Sequence, residues 1–116
     1  MLTKDEIQYR IDYEIIVDCY DEIEINMGWF CFFEETLTFP FKATALLKKL
    51  DGSPENKEVK ITGLASDEEG FTGQDFNLEM EIGEYLYPIA YSKLSNIKGS
   101  DENLEAFQIW NFWIAK

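Results

Sequence analysis

The sequence predicts an α+β protein: an N-terminal helical hairpin, then a small SH3-like antiparallel β-barrel, then a C-terminal helix. Apolar residues recur at helical spacing near the N-terminus, alternate with polar ones in the middle of the chain, and return to helical spacing at the end. With 116 residues, 46% of them hydrophobic, the chain suits a single domain around one core. We expect the hairpin at residues 1–37, the barrel at 38–94 and the last helix at 100–115.

Two helices are predicted in the N-terminal third. Thr3 and Glu6 fit a capping box, and Asp21 opens a second helix. The first helix carries an apolar stripe at a spacing of four: Ile7, Ile11, Ile15 and Cys19. The second carries a stripe at spacings of three and four: Ile23, Met27, Phe30, Phe33 and Leu37. Facing stripes indicate an αα-hairpin, which ends before Pro40 because proline disfavours helix in the residue before it.

Period-two alternation predicts four or five short strands in the middle of the chain. They cover residues 42–48, 58–65, 78–82 and 86–90, and Pro88 places the last of them at an edge or an end. Ser100 or Asp101 caps the final helix. Its predicted stripe is aromatic and aliphatic: Leu104, Phe107, Trp110, Trp113 and Ile114.

Charge excludes several classes of partner. The net charge is −13, from 23 acidic and 10 basic residues. Residues 1–35 hold ten acids and two bases, and residues 64–87 hold seven acids and no base. Such a chain repels nucleic acid and anionic membranes, and it attracts cations or a basic protein partner.

The absence of histidine removes the commonest catalytic bases and the usual zinc and iron sites, so we predict that the chain is not an enzyme. Cys19 and Cys31 form no C-x-x-C pair, and their apolar surroundings in the sequence predict buried, reduced thiols. Residues 1–10 lack the apolar segment of a signal peptide, and no apolar run is long enough to span a bilayer, which predicts a cytoplasmic protein.

The candidate functional residues are carboxylates in three groups. On one continuous helix, Glu14 would share a face with the first group, which is Asp18, Asp21 and Glu22. The second group is the pair Glu34 and Glu35, and the third is a glycine-containing loop with Asp67, Glu68, Glu69 and Asp75. Calcium takes six to eight oxygen ligands, which flexible acidic segments supply, although any single carboxylate here could simply be solvated.

The acidic loop does not fit an EF-hand. When Glu68 is placed at position 1, Gly73 falls at position 6 and Glu79 at position 12, as the EF-hand pattern requires. Gly70 and Thr72 then occupy two ligand positions, and the predicted flanking elements are strands. Any calcium site in this loop must therefore have another geometry.

Several segments of the chain share one further resemblance: residues 13–22, Met27-Gly28-Trp29-Phe30, Glu34-Glu35, residues 38–43 with Phe39-Pro40-Phe41, and residues 59–64, 87–90 and 107–113. Together they resemble the cyanobacterial calcium-binding (CcbP-like) protein family. The resemblance implies a bacterial cytoplasmic protein that binds Ca²⁺ without EF-hands, as a buffer or sensor in calcium signalling. It also implies a functional role for Glu34 and Glu35.

Together these observations predict a monomeric protein that binds Ca²⁺ reversibly through the three carboxylate groups. A calcium-independent interaction module, whose acidic surface docks a basic partner, is the alternative. Neither charge nor spacing reveals the number of sites or which carboxylates converge in space.

Overall fold

The computed structural model describes residues 2–65 and 75–115 and confirms an α+β architecture. Its helices are α1 (Lys4–Arg10), α2 (Glu22–Thr36) and α3 (Asp101–Ile114). Its strands are β1 (Phe41–Lys48), β2 (Pro54–Leu64), β3 (Asn77–Ile82), β4 (Tyr85–Ala90) and β5 (Leu94–Lys98). A π-helical segment, Ile11–Ile15, continues α1, and a 3₁₀ turn, Tyr91–Lys93, separates β4 from β5.

Each α-helix begins where a polar side chain satisfies a free backbone N–H group. The Thr3 hydroxyl accepts from the backbone N–H of Glu6 at 3.2 Å. The Asp21 carboxylate accepts from the backbone N–H of Glu24 at 2.8 Å, and the Ser100 hydroxyl accepts from that of Asn103. The caps at Thr3 and Asp21 were expected from the sequence, and Ser100 was one of two candidates for the third, because capping depends on residues only three positions apart.

The five strands form one antiparallel sheet in the order β4-β3-β2-β1-β5. The edge position predicted for the strand with Pro88 is confirmed, since β4 is an outer strand. β5 extends the sheet to Lys98, beyond the region in which the sequence predicted strands.

The sheet is curled but open, so the predicted closed SH3-like barrel is not confirmed. Only the 3₁₀ turn joins β4 to β5, although these strands form opposite edges of the sheet. Four residue steps reach at most about 14 Å. The edges of a flat five-stranded sheet would lie about 19 Å apart. The short connection therefore requires curvature, which brings the two edges towards each other.

Aromatic rings dominate the core between the helices and the curled sheet. Trp29 of α2 meets Trp110 of α3 edge to face, with ring centroids 4.9 Å apart. Phe33 of α2 stacks on Phe76 at 4.6 Å, just before β3, and Phe107 of α3 stacks on Tyr91 at 5.0 Å. These contacts hold α2 and α3 together against the inner face of the sheet.

Three sequence-based expectations about burial are wrong. Leu104, predicted in the apolar stripe of the last helix, is 44% exposed. Ile23 and Met27 of α2 are exposed, because Trp29 and Phe33 occupy the side of the helix that faces the core. Cys19 is only partly buried and Cys31 is exposed, although both are free thiols as expected. In the described part of the chain, no helix is both long and apolar enough to cross a membrane.

Candidate functional site

The first group of predicted ligands lies in a turn between the π-helical segment and α2. The helix ends after Ile15, and the backbone N–H of Ile16 closes it by donating to the carbonyl of Ile11. Asp18 then adopts a left-handed conformation with φ 59°, which aspartate tolerates better than most residues. The chain then enters α2, and we call residues 18–24, which include the first three residues of that helix, the acidic turn.

The helical face expected for Glu14, Asp18, Asp21 and Glu22 is therefore wrong, because the helix ends at Ile15 and α2 begins at Glu22. Three carboxylates of this segment instead lie near enough to the Cys19 thiol to act on its charge state. Burial raises the pKa of the Cys19 thiol, and the negative charges of Glu24, Asp18 and Asp21 raise it further, in that order.

Glu24 was missing from the predicted ligands. The sequence could have indicated Glu24, because it stands three residues after the N-cap Asp21. Its backbone N–H donates to the Asp21 carboxylate. That contact occupies Oδ1 of Asp21, whereas Asp18 and Glu22 are exposed carboxylates on the surface of the turn. The turn thus combines one capping carboxylate with solvent-facing oxygens of the kind that hard cations bind.

Glu34 and Glu35 form a second, separate group at the C-terminal end of α2. Both are exposed, and the last turn of the helix contains no basic residue. Helix geometry places Glu34 about 18 Å along the axis from Glu22. These carboxylates also face the negative end of the helix dipole, which favours cations. The structure therefore does not join this pair with the acidic turn.

Asp75 has a structural role in the described chain. Its Oδ1 accepts from the backbone N–H groups of Phe76 and Ser92, at 2.9 and 3.1 Å, and its Oδ2 accepts from the Ser92 hydroxyl at 2.6 Å. Both oxygens thus anchor the 3₁₀ turn to the start of β3. Asp67, Glu68 and Glu69, the other predicted ligands of this group, lie outside the described residues.

Within residues 2–65 and 75–115, no three Asp, Glu or Cys side chains are placed to hold one metal ion together. The donor chemistry nevertheless fits calcium, because every candidate ligand atom is a carboxylate oxygen and the exposed side chains can rotate. The acidic turn supplies several such oxygens within a short segment.

The family model of CcbP, described as calcium binding, matches residues 9–114. The chain belongs to this calcium-binding family. The crystal structure of Anabaena CcbP is 32% identical to it, with a TM-score of 0.84, and the match covers 100% of this chain and 94% of that one. A calcium-binding protein solved in its calcium-binding form is 33% identical, with a TM-score of 0.76 and coverage of 94% and 89%. No curated protein matches the sequence.

Membership confirms the family suggested by the sequence and confirms Ca²⁺ as its ion. It also explains why the aromatic segments resembled CcbP. Trp29 and Trp110, which lie in those segments, pack with Phe33 in the core between α2, α3 and the sheet. Much of the sequence resemblance therefore comes from residues that pack the core of the fold.

Proposed function

We propose that this chain is a non-EF-hand protein that binds Ca²⁺ reversibly through surface carboxylates. Asp18, Asp21, Glu22 and Glu24 form the first site, at the acidic turn. The observation that carries this assignment is that four carboxylates lie within seven residues of a chain that belongs to the CcbP family. A cation bound there would relieve the repulsion among the carboxylates.

Glu34 and Glu35 form a second proposed site, separated from the first by most of the length of α2. Asp67, Glu68 and Glu69 are retained as proposed ligands from the sequence. Asp75 is not retained, because backbone and hydroxyl groups already engage both of its oxygens.

Calcium should bind in preference to magnesium. Magnesium demands a near-ideal octahedron, whereas calcium accepts the variable shell that loosely placed carboxylates provide. We expect dissociation constants between roughly micromolar and millimolar, as for calcium sites outside the tightest cages. Isothermal titration calorimetry with each ion tests this. If millimolar calcium produced no heat of binding, the proposal would be contradicted.

Charge-neutral variants assign the sites. Asp18→Asn, Asp21→Asn and Glu24→Gln together remove three charges from the turn while keeping an N-cap, since asparagine caps as well as aspartate. Glu34→Gln with Glu35→Gln removes the second pair. Each set should weaken one calcium-binding step by about tenfold or more, because losing a charged ligand typically exceeds 1.4 kcal/mol.

The matched control is Asp5→Asn with Glu6→Gln, in the first turn of α1, which should leave the calcium isotherm nearly unchanged. If neither site variant alters calcium binding, the ligands lie elsewhere, and Asp67, Glu68 and Glu69 are tested next. Whether the protein buffers or senses calcium depends on conformational change. A sensor would show altered amide spectra beyond the residues of the sites.

A further inference from the structure

Helix α2 carries apolar side chains on two opposite sides. Trp29 and Phe33 face the core and are 1% and 0% exposed. On the outside, Ile23 is 69% exposed, Met27 is 44% exposed, and the Cys31 thiol is also exposed. A spacing of four residues aligns the last three along one stripe, which we call the outer face of α2.

A helix that is apolar on both sides normally has both sides covered, whereas a surface helix carries polar residues on its outer side. Among the described residues, nothing packs over Ile23 and Met27 strongly enough to bury them. Their helical spacing made them core candidates in the sequence. Side chains suited to a core but left in solvent in the free protein mark an interaction surface.

Carboxylates lie at both ends of this stripe. Glu22 stands at its N-terminal end, and Glu34 and Glu35 stand at its C-terminal end, all exposed. From this complementarity we propose that the outer face of α2 docks a cationic amphipathic helix of another protein. Its apolar side chains would cover Ile23 and Met27, and its Lys or Arg residues would meet the carboxylates at each end.

The same charges disfavour a second copy of this chain as the occupant. In an antiparallel pair of α2 helices, Glu22 of each copy would face Glu34 and Glu35 of the other. In a parallel pair, each carboxylate would face its own counterpart. Both arrangements place like charges together, which costs free energy, whereas a basic helix removes the repulsion.

A synthetic probe tests the surface without knowledge of the natural partner. We would use a fluorescein-labelled peptide of 18 residues, built only from Leu and Lys, with the Leu residues at helical spacing. Fluorescence anisotropy would be measured in buffer with a calcium chelator. Calcium binding then cannot contribute, so a failure of the calcium proposal leaves this experiment unaffected.

The double variant Ile23→Ala, Met27→Ala should weaken peptide binding by about tenfold or more, because it removes most of the apolar area to be buried. Alanine also favours the helix, so α2 should remain folded by circular dichroism. Leu50→Ala with Leu86→Ala is the matched control. These leucines are 110% and 55% exposed but lie away from α2, in the β1–β2 turn and on β4, and their loss should leave affinity within about twofold of the wild type.

A second variant tests the electrostatic part of the proposed interaction. Glu34→Gln with Glu35→Gln should lower affinity at low salt and flatten its dependence on salt. Unchanged peptide affinity in the Ile23/Met27 variant would overturn the docking surface. A dimer of the chain alone, dissociated by that same variant in sedimentation equilibrium, would show instead that a second copy occupies the face and would overturn the proposed partner.

Discussion

At the scale of single residues, buried Asn103 ties α3 to the segment that leaves α2. It is fully buried; its Oδ1 accepts from the backbone N–H of Thr38 at 2.8 Å, and its Nδ2 donates to the Thr38 carbonyl at 2.9 Å. Asn103→Ala should lower the free energy of unfolding by about 2–4 kcal/mol, since two backbone groups lose their partner. Urea denaturation measures this.

Thr38→Ala is the control for that experiment, because the two hydrogen bonds of the Asn103 side chain involve only the backbone of Thr38. We expect it to change stability by less than about 0.5 kcal/mol. Equal losses in the two variants would contradict the role assigned to the Asn103 side chain.

Tyr91 should make stability depend on pH in the alkaline range. Burial raises the pKa of its phenol above the ordinary 10.0, and the Asp75 charge adds to this, although a hydrogen bond to Asn111 opposes it. Because the folded pKa exceeds the unfolded one, the unfolded chain loses this proton first, and stability falls as pH rises above about 10.

Denaturation between pH 8 and 11 should show that decline, and Tyr91→Phe should reduce it. Tyr20→Phe provides the comparison, since Tyr20 is 84% exposed and its loss should leave the decline in place. A pH profile that Tyr91→Phe does not alter would contradict this prediction.

At the scale of elements, the approach of α2 to the N-terminal segment depends on Gly28. A Cβ atom at this position would lie 2.5 Å from the carbonyl oxygen of Ile15 and 3.4 Å from the Cys19 sulfur. Alanine in place of glycine normally stabilises a helix interior by about 0.5–1 kcal/mol. Here we expect Gly28→Ala to destabilise by about 1–3 kcal/mol, because the backbone must separate.

Gly63→Ala is the matched control in β2, where the nearest atom to the new Cβ is Glu79 Oε1 at 3.9 Å. It should leave the midpoint of urea denaturation close to that of the wild type. A stabilised Gly28→Ala protein would show that α2 does not need this close contact. Because the acidic turn links the two elements, the Gly28 variant should also weaken calcium binding at the site proposed there.

At the scale of the whole molecule, a net charge of −13 makes folding sensitive to cations. Calcium that binds only the folded state stabilises it by about 2.7 kcal/mol at one hundred times Kd, which raises Tm by roughly 10 °C for a chain of this size. Calorimetric scans with calcium, magnesium and sodium at matched ionic strength test this. Equal gains from all three ions would reduce the effect to screening.

Monomeric state, bacterial origin and cytoplasmic location stay predictions from the sequence. Sedimentation equilibrium measures the monomeric state, and the peptide experiment already includes that measurement. A stable dimer in dilute calcium-free buffer would contradict it, and it would also change the interpretation of the outer face of α2.

Much of the local structure could be predicted because its causes are local. Thr3, Asp21 and Ser100 cap helices through contacts three residues away, and Pro88 marks an edge strand because it lacks an N–H group. The carboxylates at Asp18, Asp21 and Glu34 were recognisable as candidate ligands by residue type alone. Their grouping was not, because the helix ends at Ile15 and Asp18 then turns the chain in a left-handed conformation.

The sequence by itself determined the α+β class, the acidic surface and the helix starts, since each follows from composition or from neighbours within four residues. Its resemblance to the CcbP family over most of the chain indicated calcium as the ion. Only the tertiary structure decided that Trp29 faces the core while Ile23 and Met27 face solvent, and that the sheet curls without closing. The reason is that helical spacing alone leaves more than one face available for burial. The choice is made by contacts such as Trp29 with Trp110, between residues far apart in the chain.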